Sequence, residues 1–275
     1  NYRYFYFKKI KKQIPNYFTD KDKDSSYDES KASTVKTVWI FASVSGDGVA
    51  VSGSTVTISK AGTYVISGES DGVQIKVEAG DSDDVHIVLK GVTMTNTNSP
   101  ISATKAGHVY LTLADGTTNT LSDSSSNNDE DADAVIFSKG DLTINGSGTL
   151  NIDAKKNNGI KANDTLHITG GTYKITAVGD AFNVNDELNI TGTTMTIDAD
   201  EDAVKGWIMM KILRSEPCIF QINKNDITAG DDGIHASGDL IIDTEYEVTE
   251  SVERSRKENR SPSTVVISPF YATDD

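Results

Sequence analysis

The sequence predicts an all-β fold, a parallel β-helix with coils of about 22 residues, and three observations predict it. Asp133-Ala134-Val135, Asn158-Gly159-Ile160, Asp180-Ala181-Phe182 and Asp202-Ala203-Val204 recur at steps of 25, 22 and 22 residues, and Asp232-Gly233-Ile234 follows after 30 more. A near-even repeat of this length is the mark of a solenoid, in which each coil buries its apolar face against its neighbours. Between the triplets, Val, Ile and Leu alternate with Thr and other polar residues at a period of two, as strands with one buried face require. Glycines such as Gly170, Gly171 and Gly192 fall where the chain must turn sharply.

Taken in order, residues 1–18 mix Tyr and Phe with Lys8, Lys9, Lys11 and Lys12 and hold no apolar run of a signal peptide, so the sequence reads as incomplete at its start. Residues 20–37, rich in Lys, Asp and Ser, read as a disordered spacer, and 1–38 together as a disordered or non-native tail. The β-helix is expected over 39–275. Val49, Val51, Val56 and Ile58 alternate with Ser and Thr, and Tyr64, Ile66, Val73, Ile75 and Val77 continue the pattern. Gly53, Gly62, Gly68, Gly72 and Gly80 mark turns. Val85, Ile87, Leu89 and Val109, Leu111, Leu113 supply two further strands, and Asp123–Asp133 reads as a solvated polar loop.

From Asp133 the coils can be laid on one another. Val135, Ile160, Phe182, Val204 and Ile234 form an inward column, and Ile136, Lys161, Asn183, Lys205 and His235 an outward row. A second strand buries Leu142, Leu166, Leu188 and Leu240, and a third buries Leu150, Tyr173 and Met195. Two stretches break the rule, 207–226 and 244–270. From Trp207 to Cys218 nothing matches the neighbouring coils, and the interval from Asp202 to Ile227 is eight residues longer than that from Asp180 to Ile197. Insertion and a compensating pair of reading-frame errors both account for such breaks. Ala272-Thr273-Asp274-Asp275 resumes the pattern, and the last coil is truncated.

A net charge of −15 opposes a nucleic-acid partner, because phosphates would be repelled. A cation, a basic surface or an uncharged polymer fits better. No run approaches 18 apolar residues, so no transmembrane helix is expected, and a single cysteine, Cys218, permits no internal disulfide.

The chemistry-bearing residues lie on the repeated turn. Stacked strands place equivalent residues about 4.8 Å apart. Carboxylates at that distance repel by roughly 1 kcal/mol in water and about 3–4 kcal/mol at an effective dielectric of 20. Asp180, Asp202 and Asp232, thickened by Asp200, Glu201 and Asp231, therefore need relief, and Ca²⁺ accepts such oxygen sets. The competing account is that these side chains cap tight turns by accepting backbone N–H groups. A second row, Asp141, Asp164, Asp186, Glu187 and Asp239, reads as turn capping. His235 beside Asp231 and Asp232 forms an acid-base grouping in one coil only, and no catalytic residue is assigned. Lys161 and Lys205 are the cations of the outward row. They read as solvated surface lysines, with the base of a lyase as the competing reading.

Thr57-Ile58-Ser59-Lys60-Ala61-Gly62-Thr63-Tyr64, Leu111-Thr112-Leu113-Ala114-Asp115-Gly116-Thr117, Asp141-Leu142-Thr143-Ile144-Asn145-Gly146-Ser147-Gly148 and Gly230-Asp231-Asp232-Gly233-Ile234 resemble the Cthe_2159-type carbohydrate-binding domain family. The resemblance covers roughly 45–205 and 227–243. It implies a right-handed, polysaccharide-lyase-like β-helix, secreted or attached to the cell surface, that binds plant polysaccharide with calcium and without established catalysis. Its calcium positions carry over to Asp180, Asp202, Asp231 and Asp232, whereas Asn158 departs from the acidic turn. The expected function is accordingly extracellular, non-catalytic binding of cellulose or a pectin-like polymer, with Lys161, Asn183, Lys205 and His235 facing the glycan. A polysaccharide lyase or hydrolase and a structural surface adhesin are the alternatives, and the sequence sets neither the sugar nor the oligomeric state.

Overall fold

A computed structural model describes residues 17–206 and, beyond them, the backbone of the strands Met209–Ile212, Ile219–Phe220, Ile234–Ala236 and Asp239–Ile242. Most pairings are parallel and join residues one repeat apart. Phe182 lies between Ile160 and Val204, Leu188 pairs with Leu166, and Tyr173 lies between Leu150 and Met195. The period-two alternation turns these side chains inward, and all eight are no more than 1% exposed. The interior is thus a set of apolar columns, each layer closing the one before it. Two tyrosine hydroxyls within it find backbone acceptors, that of Tyr64 donating to the Lys60 carbonyl at 2.8 Å. The Tyr173 hydroxyl donates to the Gly170 carbonyl at 2.8 Å. Tyr173→Phe should cost about 1 kcal/mol, because it leaves that carbonyl without its donor, and urea denaturation measures it.

The three strand rows do not build the right-handed, three-sided β-helix that the repeat predicts. Asp84–Thr95 is one unbroken strand of twelve residues. Its first half pairs with His108–Leu113 and its second with Thr118–Ser122. No sharp turn divides it; the chain only bends at Gly91, whose φ of 70° suits a residue without Cβ. Two rows are thereby fused into a single fifteen-stranded sheet, curled like a half-barrel, while the remaining row makes a separate nine-stranded sheet. Antiparallel pairs also occur, Ser33–Trp39 with Phe41–Ser45 in the large sheet and Val49–Ser52 with Thr55–Ile58 in the small one. All-β is correct; the right-handed solenoid is replaced by two sheets around one core.

The register differs from expectation at the first repeat. Ile136 pairs with Ile160 and Phe137 with Lys161. Ile136 therefore belongs to the inward column and is 1% exposed, where an outward position was expected. The triplets suggest a step of 25 residues there, whereas the backbone steps 24 and sets Ala134 level with Asn158. The break from Trp207 is also more regular than expected. Met209–Ile212 pairs in register with Glu187–Ile190, and Ile219 with Thr194. The extra length lies between those strands and before Ile234. The second break, 244–270, falls outside the described residues.

Residues 20–37, expected as a disordered spacer, follow a defined path. Thr19 caps the helical turn Asp20–Lys23, its hydroxyl accepting the Asp22 N–H and Asp22 accepting the Thr19 N–H in return. Asp22 is buried against the outer face of the large sheet. Thr143 Oγ1 donates to its Oδ1 at 2.6 Å, and Thr169 Oγ1 to its carbonyl at 2.6 Å. Asn145 Nδ2 donates to the carbonyls of Asp22 and Asp24 at 3.2 Å. Phe18 stands edge-on to His167 and Tyr27 to His86, while the Lys21 ammonium sits over the Tyr110 ring. The segment is a strap across several strands, ending where Ser33–Trp39 joins the sheet. The loop 123–133 is likewise tied down, with buried Asp123 accepting the Lys155 N–H at 2.6 Å. Among the described residues no helix is long and apolar enough to cross a membrane.

Candidate functional site

The repeated triplets open the strands of the small sheet, and their first residues stand over one another. Asn158 Oδ1 accepts the Asp180 N–H at 3.0 Å, and Asp180 Oδ1 accepts the Asp202 N–H at 3.0 Å. Asn158 Nδ2 donates to the Asp133 carbonyl at 3.1 Å. Each side chain thus caps the repeat that follows, as the turn-capping account expects. The small middle residue of the triplet is packed in the core, Ala181 and Ala203 being fully buried. At Gly159 even a Cβ would lie 2.6 Å from the Ala181 carbonyl oxygen, which is why glycine stands there. The second acidic row behaves similarly where Asp141 accepts the Thr165 N–H at 3.0 Å.

Outward from these caps, Lys161, Asn183 and Lys205 are paired in register, and the backbone of His235 continues the row. Lys161 Nζ lies 2.6 Å from Asp133 Oδ1. Asn183 Nδ2 donates to Asp180 Oδ2 at 2.7 Å. Lys205 Nζ lies 3.2 Å from Asp180 Oδ2 and 3.9 Å from Asp202 Oδ2. The lysine side chains are 19% and 28% exposed, so each keeps a polar head at the surface while its stem is packed. Burial alone would lower the Lys205 pKa, but Asp180, Asp202 and Glu201 overcome it and raise the value above the ordinary 10.5. Lys205 is a fixed ammonium donor. A lyase base would need the opposite shift.

This geometry bears on calcium. Both Asp180 oxygens are committed, one to a backbone N–H and the other to an amide and an ammonium. The repulsion that suggested a cation is relieved instead by Lys205 and by capping. No group of three His, Cys, Asp or Glu suited to a metal occurs among the described residues. Asp200 and Glu201 are exposed at the turn beside them. Asp231 and Asp232 lie outside the described residues, as does the side chain of His235.

Sequence reasoning expected few exposed aromatics and missed the hairpin tip. Trp39 is 78% exposed and Phe41 68%, flanked by Val38 and Ile40 at 60% and 55%. The signal was present in Val38-Trp39-Ile40-Phe41, four apolar residues without alternation, which one buried face cannot absorb. Elsewhere, Lys21, Asp24, Asp84, His86 and Tyr110 line an open cleft of about 240 Å³ where the strap meets the large sheet.

Ammonium, amide and carboxylate groups interleave along the outward face of the small sheet. Residues 52–266 match the family of carbohydrate-binding domain-containing proteins, and the chain belongs to that family. A carbohydrate-binding domain-containing protein of Acetivibrio thermocellus is 39% identical over 137 residues, 48% of each chain. The chain thus spans about half the length of that relative. A solved structure described as the polysaccharide lyase-like protein from C. thermocellum, in a gadolinium derivative, covers 77% of this chain and 97% of its own at 27% identity and a TM-score of 0.62.

Proposed function

We propose that this chain binds plant cell-wall polysaccharide outside the cell without cleaving it, through the row of Lys161, Asn183 and Lys205. Family membership supports the ligand class. The observation that carries the reading is the row itself, in which donors and acceptors at strand spacing hold one another in place and still reach the surface. Sugar hydroxyls both donate and accept, and a preorganised set of this kind binds them with little ordering cost. A lyase reading would follow the name of the structural relative; against it, Lys205 is held by the carboxylates of Asp180 and Asp202, which favour its charged form over a free base.

Between the two polymers first considered, the net charge of −15 favours a neutral glucan such as cellulose over a polyuronate. Calcium would reverse that preference by bridging acidic groups; Asp180 and Asp202 give it no support, and the turn at Asp200 and Glu201 is the described part of the row open to it. Pull-down on insoluble cellulose and on pectate, with and without calcium, tests the proposal. Retention on cellulose should fall about tenfold in Lys161→Gln/Lys205→Gln, a loss of about 1.4 kcal/mol. Release of reducing or unsaturated ends would turn the reading to an enzyme, and retention on neither polymer would turn it to an adhesin.

A further inference from the structure

We propose that the hairpin tip bearing Trp39 and Phe41 is a sugar-stacking platform at one end of the same glycan track, an inference that rests on the binding function proposed above. Three observations converge on it. The first is exposure: Trp39 and Phe41 are largely open to solvent within a tip that carries no charge from Val38 to Phe41. A large aromatic left so exposed loses hydrophobic stabilisation unless a ligand covers it. The apolar C–H face of a pyranose ring is a match for an indole, because its polarised hydrogens meet the negative π face.

The second observation is backbone conformation. Trp39 has φ 57°, the only non-glycine residue with positive φ among those described. Val38 pairs with Phe41, so Trp39 is the first residue of a two-residue hairpin loop, where the favoured turns require positive φ, and that turn sets its side chain at the tip of the hairpin. The third is position. Trp39 pairs with Ser70, next to the corner where the chain leaves the large sheet for Gln74–Glu78 of the small one. In later repeats the same corner leads to Asn158, Asp180 and Asp202. Strand Thr55–Ile58 lies in the layer of Trp39, four strand spacings from Asn158–Ala162. The tip is therefore about 19 Å from Lys161 along the stacking direction, at about 4.8 Å per strand. A glycan running down the corner meets ammonium and amide groups first and an aromatic cap last. Net negative charge argues against an anionic membrane as occupant.

Titration calorimetry of the full chain with β-1,4-linked glucose oligomers tests this. Trp39→Ala and Phe41→Ala should each weaken the hexasaccharide about tenfold and the trisaccharide by less than about twofold, since the shorter chain stays on the lysine row. Trp39→Phe should recover most of the loss. Trp39 is one of two tryptophans, so Trp207→Phe leaves it as the fluorescent reporter, and the hexasaccharide should quench it. Hexasaccharide binding that depends on Lys161 and Lys205 but is unchanged in both tip variants would overturn the platform and leave the function standing. Loss of self-association in Trp39→Ala with unchanged sugar affinity would make the tip a contact between copies. Absence of wild-type binding to any oligomer or to cellulose would overturn both readings.

Discussion

Asp180→Ala should destabilise the fold by about 4 kcal/mol in urea denaturation, whereas Asp180→Asn should cost about 1 kcal/mol. Alanine strands the Asp202 N–H, the Asn183 amide and the Lys205 ammonium together. A buried donor without a partner loses its full desolvation energy, and a partly buried charge loses more. Asparagine keeps the oxygen that accepts from Asp202, and the protein already contains this arrangement one repeat earlier, where Asn158 accepts from Asp180. The pair of variants also separates capping from metal binding. Under capping, excess chelator should leave the melting temperature of wild type and Asp180→Asn equally unmoved. A chelator-sensitive wild type beside an insensitive Asp180→Asn would restore the cation at this position.

Asp22→Ala should cost about 3 kcal/mol and expose residues 17–32 to protease before the remainder unfolds. The carboxylate accepts from Thr19 and Thr143 and lies 3.2 Å from His167 Nδ1. Burial pushes its pKa up, but His167, Thr143 and Thr19 outweigh this and hold it well below the ordinary 3.8. His86 and His108 also have lowered values, in both cases because burial disfavours the imidazolium more than nearby charges favour it. Asp24 and Lys21 face His86; Asp141, Asp22, Asp84 and His167 face His108. All three groups bind protons less readily folded than unfolded, so their contribution is complete at high pH and is lost as pH falls. The histidine share fades below 6.5, the ordinary value, and the Asp22 share below 3.8. Strap release followed by proteolysis should therefore begin near pH 6 and deepen sharply below pH 4, and Asp22→Ala should keep only the first step. A flat profile between pH 7 and 5 would remove the histidines from this account.

Much of the interior was legible because alternation and repeat length are local properties. Leu142 over Leu166 and Tyr173 under Met195 follow from the sequence with no further information. The sheet organisation was not legible in the same way. Whether Lys90-Gly91-Val92 turns or merely bends depends on the strands beside it, and a glycine permits both. The strap was missed for a related reason. Lys, Asp and Ser in 20–37 have the composition of a disordered segment, yet the outer sheet face offers Thr143, Asn145 and Thr169 to its backbone and carboxylate. Those partners are over a hundred residues away, beyond any local window. Within the site, Lys161, Asn183 and Lys205 were readable as one row, whereas the preference of Asp180 for backbone and ammonium over a cation emerges only from distances.

The reach of the strap sets an order of events during synthesis. Asp22 is bonded to Thr169, 147 residues later in the chain. At 5–20 residues per second, roughly 7–30 s pass between the emergence of the two from a ribosome. The strands from Asp84 onward can stack on one another as they appear, each on a finished predecessor, but the strap has no complete landing surface until Thr169 arrives. It must close late. Until then the outer face around His86, Tyr110 and Thr143 stands bare, and a chaperone or a stray peptide has that interval in which to occupy it.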